Sequence, residues 1–358
     1  MTAELQVRLP DFPWDLLAPY KKIASAHPDG LVDLSIGTPV DPSPEVMQMA
    51  LVASGNAPGY PLTIGSTDLR ESLTRWIRTK FFPTGDIDFL PTIGSKEIVG
   101  LLPTILQAKK VLIPEIAYPT YQVGALVAGA QWVGVNDDCE SWPTDGDLVW
   151  INSPANPHGR VLTPDQIRAI IRWARATQTV VVSDECYFEL GWERDPVSLL
   201  QIADGDCTGL LAAHSLSKSF NAAGYRSAFI AGDPEIIGTI REVRKHLGLM
   251  MPAPIQSAMA AALDSPSEIA QQKERYRARR TMLRSALESA GFEITDSEAG
   301  LYLWSTRSEE CWKTVQWAAE RGILVTPGIF YGPKGALHIR VALTATDYDI
   351  ARACERLA

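Results

Sequence analysis

Lys218 stands in the run Ser215-Leu216-Ser217-Lys218-Ser219-Phe220-Asn221-Ala222-Ala223-Gly224-Tyr225-Arg226. A lysine between two serines, after an apolar strand-like run and with an arginine further on, suits an imine link to a phosphorylated aldehyde. The hydroxyls of Ser215 and Ser217 and the Arg226 guanidinium offer donors for the phosphate, and the lysine offers the amine. Pyridoxal 5'-phosphate is the cofactor that needs both.

Other polar motifs stand upstream in a fixed order. Asp184-Glu185-Cys186-Tyr187 follows Val180-Val181-Val182-Ser183, and Asn152-Ser153-Pro154-Ala155-Asn156-Pro157-His158-Gly159 follows Leu148-Val149-Trp150-Ile151. Gly94-Ser95-Lys96-Glu97 reads as a helix start, where backbone N–H groups and the helix dipole face an anion. Taken singly, each has a plain structural alternative. Asp184 could cap a helix, Tyr187 and Tyr118 could be packed aromatics, Asn156 a turn residue before proline, Gly94-Ser95 an ordinary N-cap, and Arg340 a surface strand residue.

The elements that must position these groups are legible in the periodicity. Short apolar runs at Pro91–Ile93, Val111–Ile113, Trp132–Val135, Leu148–Ile151, Val180–Ser183, Leu210–His214 and Ala228–Ala231 alternate with helical stretches. That pattern predicts an α/β chain with a mostly parallel central sheet and helices on both faces. Gly94, Asn152, Asp184 and Ser215 each follow a strand directly, so their strand ends converge on one crevice. A charge-rich helix is expected over 266–291, then strands at Leu301–Trp304, Ile323–Val325 and Leu337–Leu343 of a smaller α+β domain. Alternation places His338, Arg340 and Ala342 on one strand face. The expected division is 41–270 for the large domain, and 1–40 with 271–358 for the small one.

Composition narrows the function class. The chain has 358 residues, 46% hydrophobic, with net charge −9. No basic block favours nucleic acid, and no apolar run approaches the ~20 residues of a membrane span. Five scattered cysteines without C-x-x-C spacing suggest reduced thiols in a cytoplasmic protein. Glu4, Arg8, Pro10 and Asp11 argue against a signal peptide. No metal is expected.

With these four motifs in this order, the chain resembles the fold type I, class I/II PLP-dependent aminotransferases over nearly its whole length. The resemblance implies that Lys218 carries the cofactor, that Asp184 pairs with its pyridine nitrogen, and that Tyr187 and Asn156 bond its phenolate oxygen. It also implies that Tyr118 stacks on the ring, and that Gly94, Ser95, Lys96, Ser215, Ser217 and Arg226 surround the phosphate. Tyr60 would reach the phosphate of a second subunit, making a homodimer the active unit. Arg340 would fork onto the substrate α-carboxylate beside Gly37 and Asn156. The family usually has threonine where this chain has His158, which could bring a titratable group near the site, and glycine where it has Ala228.

Several stretches look most like the actinobacterial-type N-succinyldiaminopimelate aminotransferases. These are Leu9-Pro10-Asp11-Phe12-Pro13-Trp14-Asp15, His27-Pro28-Asp29-Gly30, Tyr60-Pro61-Leu62-Thr63-Ile64-Gly65 and Ser297-Glu298-Ala299-Gly300-Leu301-Tyr302-Leu303-Trp304. That likeness implies ping-pong transfer from glutamate to N-succinyl-2-amino-6-oxoheptanedioate in diaminopimelate and lysine synthesis. Another oxo-acid specificity, or a C–S β-lyase on the same scaffold, is the alternative. Arg70, Lys96 and Lys334 are candidate cations for the further carboxylates of such a substrate.

Overall fold

The computed structural model describes residues 9–83 and 85–358; Glu4 and Arg8 lie outside them. The larger sheet has seven strands. They are β1 (Asp88–Ile93), β2 (Lys110–Pro114), β3 (Gln131–Val135), β4 (Leu148–Asn152), β5 (Val180–Asp184), β6 (Leu210–Ser215) and β7 (Ser227–Gly232). Each run anticipated from sequence lies inside one of them. Their spatial order is β1-β7-β6-β5-β4-β2-β3. Pairings are parallel between β2 and β3, β2 and β4, β4 and β5, and β5 and β6. Strand β7 runs antiparallel to both β1 and β6.

The near-continuous apolar character of β4 to β6 follows from burial on both faces. Val149, Ile151 and Val181 join one core, with Leu69, Leu73 and Ile167 from helices. Leu148, Trp150 and Val182 join the other, with Ile98, Leu102 and Ile237. The helices are locally well specified. Thr163 and Gln166 form a capping box on the Pro164–Thr177 helix, satisfying donors that the first turn leaves open. Asp233 caps Pro234–Leu247, which ends at Gly248 in the left-handed region.

A second, antiparallel sheet contains β8 (Glu293–Thr295), β9 (Tyr302–Thr306), β10 (Thr326–Pro327) and β11 (His338–Ala342), in the order β10-β11-β9-β8. The run Ile323–Val325 does not form one strand of this sheet. Ile323–Leu324 pairs in parallel with Val32–Asp33 instead, because the backbone donors of the N-terminal segment find acceptors there: Val32 donates to Gly322 and Leu34 to Leu324. The two sheets are joined by the Ser267–Ser289 helix. Its Arg279 is 3% exposed and takes both oxygens of Asp41 at 2.7 Å and one of Asp347 at 2.6 Å. One buried cation therefore ties the linker helix to the chain entering the large sheet and to the start of the last helix. Among the described residues, no helix is long and apolar enough to cross a membrane.

Candidate active site

The carboxyl ends of β1, β4, β5 and β6 open into one cleft of about 670 Å³. Its lining includes Gly37, Ser95, Lys96, Tyr118, Asn152, Asn156, Asp184, Tyr187, Ser215, Ser217, Lys218, Arg226 and Arg340. Residues spread over three hundred positions of sequence are thus brought to one place by strand direction. The antiparallel sense of β7 matters here. Arg226 precedes its strand rather than following it, and only a reversed strand starts at the edge where its neighbours end. Register confirms this: Ser227 pairs with Ile93 and Ala228 with Ser215. Ala228 is fully buried in that ladder, so the absent glycine leaves the turn intact.

One end of the cleft is built for an anion. Gly94 has φ +70° and precedes the Ser95–Ile105 helix. A Cβ at Gly94 would overlap the Arg226 guanidinium, so glycine makes the close approach possible. The Gly94 N–H bonds the Arg226 carbonyl at 2.7 Å. Ser215 donates to Ser217 Oγ at 2.8 Å and accepts from its backbone N–H at 3.1 Å. Arg226 bonds the Ala223 carbonyl at 3.0 Å and has no ion pair with a carboxylate among the described residues. Hydroxyls, a helix N-terminus and an unneutralised arginine fit a phosphate.

A second part of the lining suits a cation on a ring. Asp184, at the end of β5, is 7% exposed. Its Oδ2 accepts from the Tyr121 hydroxyl at 2.8 Å and its Oδ1 from the Cys186 N–H at 3.2 Å. Burial raises its carboxyl above the usual range, against the lowering effect of the Cys186 and Tyr121 bonds. A protonated ring nitrogen beside it would supply the opposite charge that such a buried carboxylate lacks. The short Leu216–Ser219 helix places Lys218 in the cleft, where its amine donates to the Gly37 carbonyl. Tyr118 lines the cleft with its ring edge-on to Tyr121. The donor set fits pyridoxal phosphate at both of its charged ends.

The third feature is a buried arginine whose fork suits a carboxylate. Arg340 on β11 is 3% exposed; burial opposes its charge, but the surrounding phenols of Tyr302, Tyr331 and Tyr187 favour it and raise its pKa overall. It is held by Asn156 Oδ1 at 3.0 Å and the Ser35 carbonyl at 2.7 Å. Its guanidinium lies 3.9 Å from the Tyr302 ring centroid. Asn152 braces the loop beneath. Its amide bonds the carbonyls of Pro154 and Asp184, and its oxygen receives the Asn156 N–H at 2.7 Å.

Other expectations need correction. His158 does not face this cleft; it lines a separate small cavity with Arg160 and Asp137. Burial lowers its pKa to about 4 despite Asp296, so the imidazole is neutral near pH 7. Arg70 pairs with Asp88 at 3.2 Å and covers the Phe89 ring, and Lys334 pairs with Glu115; neither lines the cleft. Tyr60, expected to serve a second subunit rather than its own, needs no such correction: it is 95% exposed and outside this chain's own cleft. Tyr121 and Tyr302 are site residues that the motifs did not reveal. Tyr121 lies one helical turn after Tyr118, and Tyr302 sits in a run singled out without a role. Spacing carried a hint in the first case; in the second only the pairing of β9 with β11 shows it. The segment Leu9–Trp14 supplies an apolar wall, with Trp14 edge-on to Phe330 at 5.7 Å.

Comparison with known proteins agrees with this geometry. The model of the aminotransferase class I and II family matches residues 29–357. A probable aminotransferase of Mycobacterium tuberculosis is 52% identical, covering 98% of this chain and 85% of the relative. The 4-dedimethylamino-4-oxo-anhydrotetracycline transaminase OxyQ of Streptomyces rimosus is 50% identical, covering 98% and 99%. Among solved structures, N-succinyldiaminopimelate aminotransferase of Mycobacterium tuberculosis superposes with TM-score 0.85 at 25% identity, covering 98% and 100%. A probable N-succinyldiaminopimelate aminotransferase of Thermus thermophilus gives 0.88 at 26%, covering 97% and 99%. With a lysine, a buried aspartate and a buried arginine in one cleft, and a family match over residues 29–357, the chain belongs to the pyridoxal-phosphate-dependent class I and II aminotransferases.

Proposed function

We propose that this aminotransferase moves the amino group of glutamate to N-succinyl-2-amino-6-oxoheptanedioate, in two half-reactions at one site. The observation that carries this is the disposition of cations in the cleft. Lys218 and Arg226 belong to the cofactor, and Arg340 to the α-carboxylate. Lys96, exposed at the start of its helix, is the remaining cation of the lining and has no ion pair among the described residues. That leaves its charge available to a distal carboxylate of an extended substrate, which supports this reading.

Pyridoxal phosphate, when bound, supplies an electron sink for the charge that forms at the amino-acid Cα. The protein does the rest. Arg340 fixes the α-carboxylate by a fork and so orients the Cα–H bond. The Lys218 amine removes and returns the proton. Asp184 holds positive charge at the ring nitrogen, and Tyr187 and Asn156 offer donors to the phenolate oxygen. Ser95, Ser215, Ser217, Arg226 and the helix N-terminus hold the phosphate. We assign residues 41–270 to the large domain and the remainder to the small one. Class I and II aminotransferases are typically homodimers, and exposed Tyr60 is proposed to reach the phosphate site of a second copy.

A second reading has its own support. Half-identity to a 4-dedimethylamino-4-oxo-anhydrotetracycline transaminase, together with the walls formed by Leu9, Phe12, Trp14, Ile36 and Phe330, favours a bulky ketone as acceptor. Half-reactions discriminate. Enzyme incubated with glutamate should release 2-oxoglutarate in proportion to sites, and the succinylated semialdehyde should then be aminated faster than plain 2-oxo acids. Preference for plain oxo acids or for aromatic ketones would reject the proposed acceptor. Pyruvate and ammonia released from cysteine conjugates would indicate a β-lyase. Borohydride should fix the cofactor to Lys218; an adduct on Lys96 would overturn the site assignment.

A further inference from the structure

We propose that Tyr302 is a positioning residue that couples the carboxylate grip to the cofactor: its ring seats the Arg340 guanidinium and its hydroxyl orients that of Tyr187. The proposal rests on the assignment of Arg340 as the carboxylate fork.

Tyr302 is 4% exposed and lines the cleft. It opens β9, which pairs with β11 so that Trp304 faces Arg340 and Tyr302 faces Ala342. The Tyr302 ring therefore lies diagonal to Arg340, 3.9 Å below the guanidinium carbon. This is a desolvated cation–π contact, and the Tyr331 ring at 5.1 Å adds a second. The ring holds the fork flat while Asn156 and the Ser35 carbonyl bond its nitrogens. Gly37 completes the seat, because a Cβ there would collide with the Tyr302 hydroxyl.

The hydroxyl reaches in the other direction. Tyr302 and Tyr187 oxygens are 3.2 Å apart, and either could donate. Burial raises the Tyr302 hydroxyl, but Arg340, Lys218 and the bond with Tyr187 outweigh it. The coupling takes Tyr302 as the donor, because Tyr187, which also lines the cleft, then keeps its own hydrogen for a partner there, and as an acceptor it becomes a stronger donor. One side chain thereby sets both the substrate fork and the donor facing the cofactor.

The test uses holoenzyme variants Tyr302→Phe, Tyr302→Leu and Arg340→Gln. It reads three quantities: the pH midpoint of the bound cofactor's visible absorbance, the Kd of glutarate, and KM and kcat for glutamate. Tyr302→Phe keeps the ring and loses the hydroxyl. Its absorbance midpoint should rise by several tenths of a pH unit, with glutarate affinity changed by less than about twofold. Tyr302→Leu should also weaken glutarate and raise KM by about five- to tenfold, from the lost cation–π contact. An unmoved midpoint in Tyr302→Phe, or wild-type glutarate affinity in Tyr302→Leu, overturns the coupling. Arg340→Gln separates the two levels. If it barely weakens glutarate, the fork assignment fails. If it weakens glutarate strongly while both Tyr302 variants match wild type, only the role of Tyr302 fails.

Discussion

Tyr121→Phe removes one oxygen from the site and little else. The Tyr121 ring is fully buried and stacks on Trp150 at 5.0 Å, nearly parallel; phenylalanine keeps that contact. What is lost is the 2.8 Å bond to Asp184 Oδ2. The other support for Asp184 comes from Cys186, through its backbone N–H and its thiol, so the substitution removes the one hydroxyl donor. A hydrogen bond to a charged buried group contributes about 1.5–3 kcal/mol. Burial already raises the carboxyl against the Cys186 and Tyr121 bonds, and loss of Tyr121 raises it further. The sign follows. An acid whose folded pKa lies above its unfolded value of about 3.9 destabilises the fold increasingly as pH rises through the folded value. The extra penalty in the variant therefore grows with rising pH and shrinks toward acid, where the carboxyl is neutral. Denaturant titration of the apoenzyme at pH 8 and pH 5 should show the larger loss at pH 8. Turnover of the holoenzyme should fall about tenfold or more, the lower end of that range expressed as a rate. Equal destabilisation at both pH values, or none, would show that the phenol does not support the charged form of Asp184.

The remaining expectations concern the frame around the site. Gly94→Ala forces a side chain onto the Arg226 guanidinium at φ +70°, and equilibrium dialysis should show cofactor affinity at least tenfold weaker, with folding largely retained. Arg279→Ala leaves Asp41, held below the usual carboxylate range despite burial by Arg279 and Gln272, without its cation. Breaking a buried pair costs about 3–5 kcal/mol, readable as a lower urea midpoint at pH 7 and a smaller deficit as pH falls below about 4. His158→Gln should flatten the acid limb of stability. The native imidazole, with pKa about 4 through burial, is neutral where the unfolded one protonates, so its contribution is complete above about 6.5 and lost toward 4; between pH 8 and 5 the variant should lose about 2 kcal/mol less than wild type.

Much of the site was legible because its chemistry is carried by short motifs at strand ends. Lys218, Asp184, Asn156 and Gly94 each follow an apolar run, and a parallel sheet sends every such end to one edge. Arg340 was legible through alternation along its strand. The misses have physical causes too. His158 differs from the usual residue within a motif, yet its backbone turns it toward Asp296 and Arg160 rather than the cleft. Arg70 and Lys334 looked free in sequence but are held by Asp88 and Glu115. Tyr121 and Tyr302 stand in ordinary helical and strand patterns that give core and site aromatics alike.

By itself the amino-acid sequence determined the alternation of strands and helices, the cofactor class and the lysine proposed to anchor it, because these depend on local periodicity and on side-chain types at short spacing. The tertiary structure alone decided that Arg226 shares the edge of Lys218, that Tyr302 lies beneath Arg340, and that Arg279 ties three distant segments together. Those relations depend on strand direction, sheet order and register. Contacts between residues hundreds of positions apart are set by how the chain packs as a whole, and no local pattern encodes them.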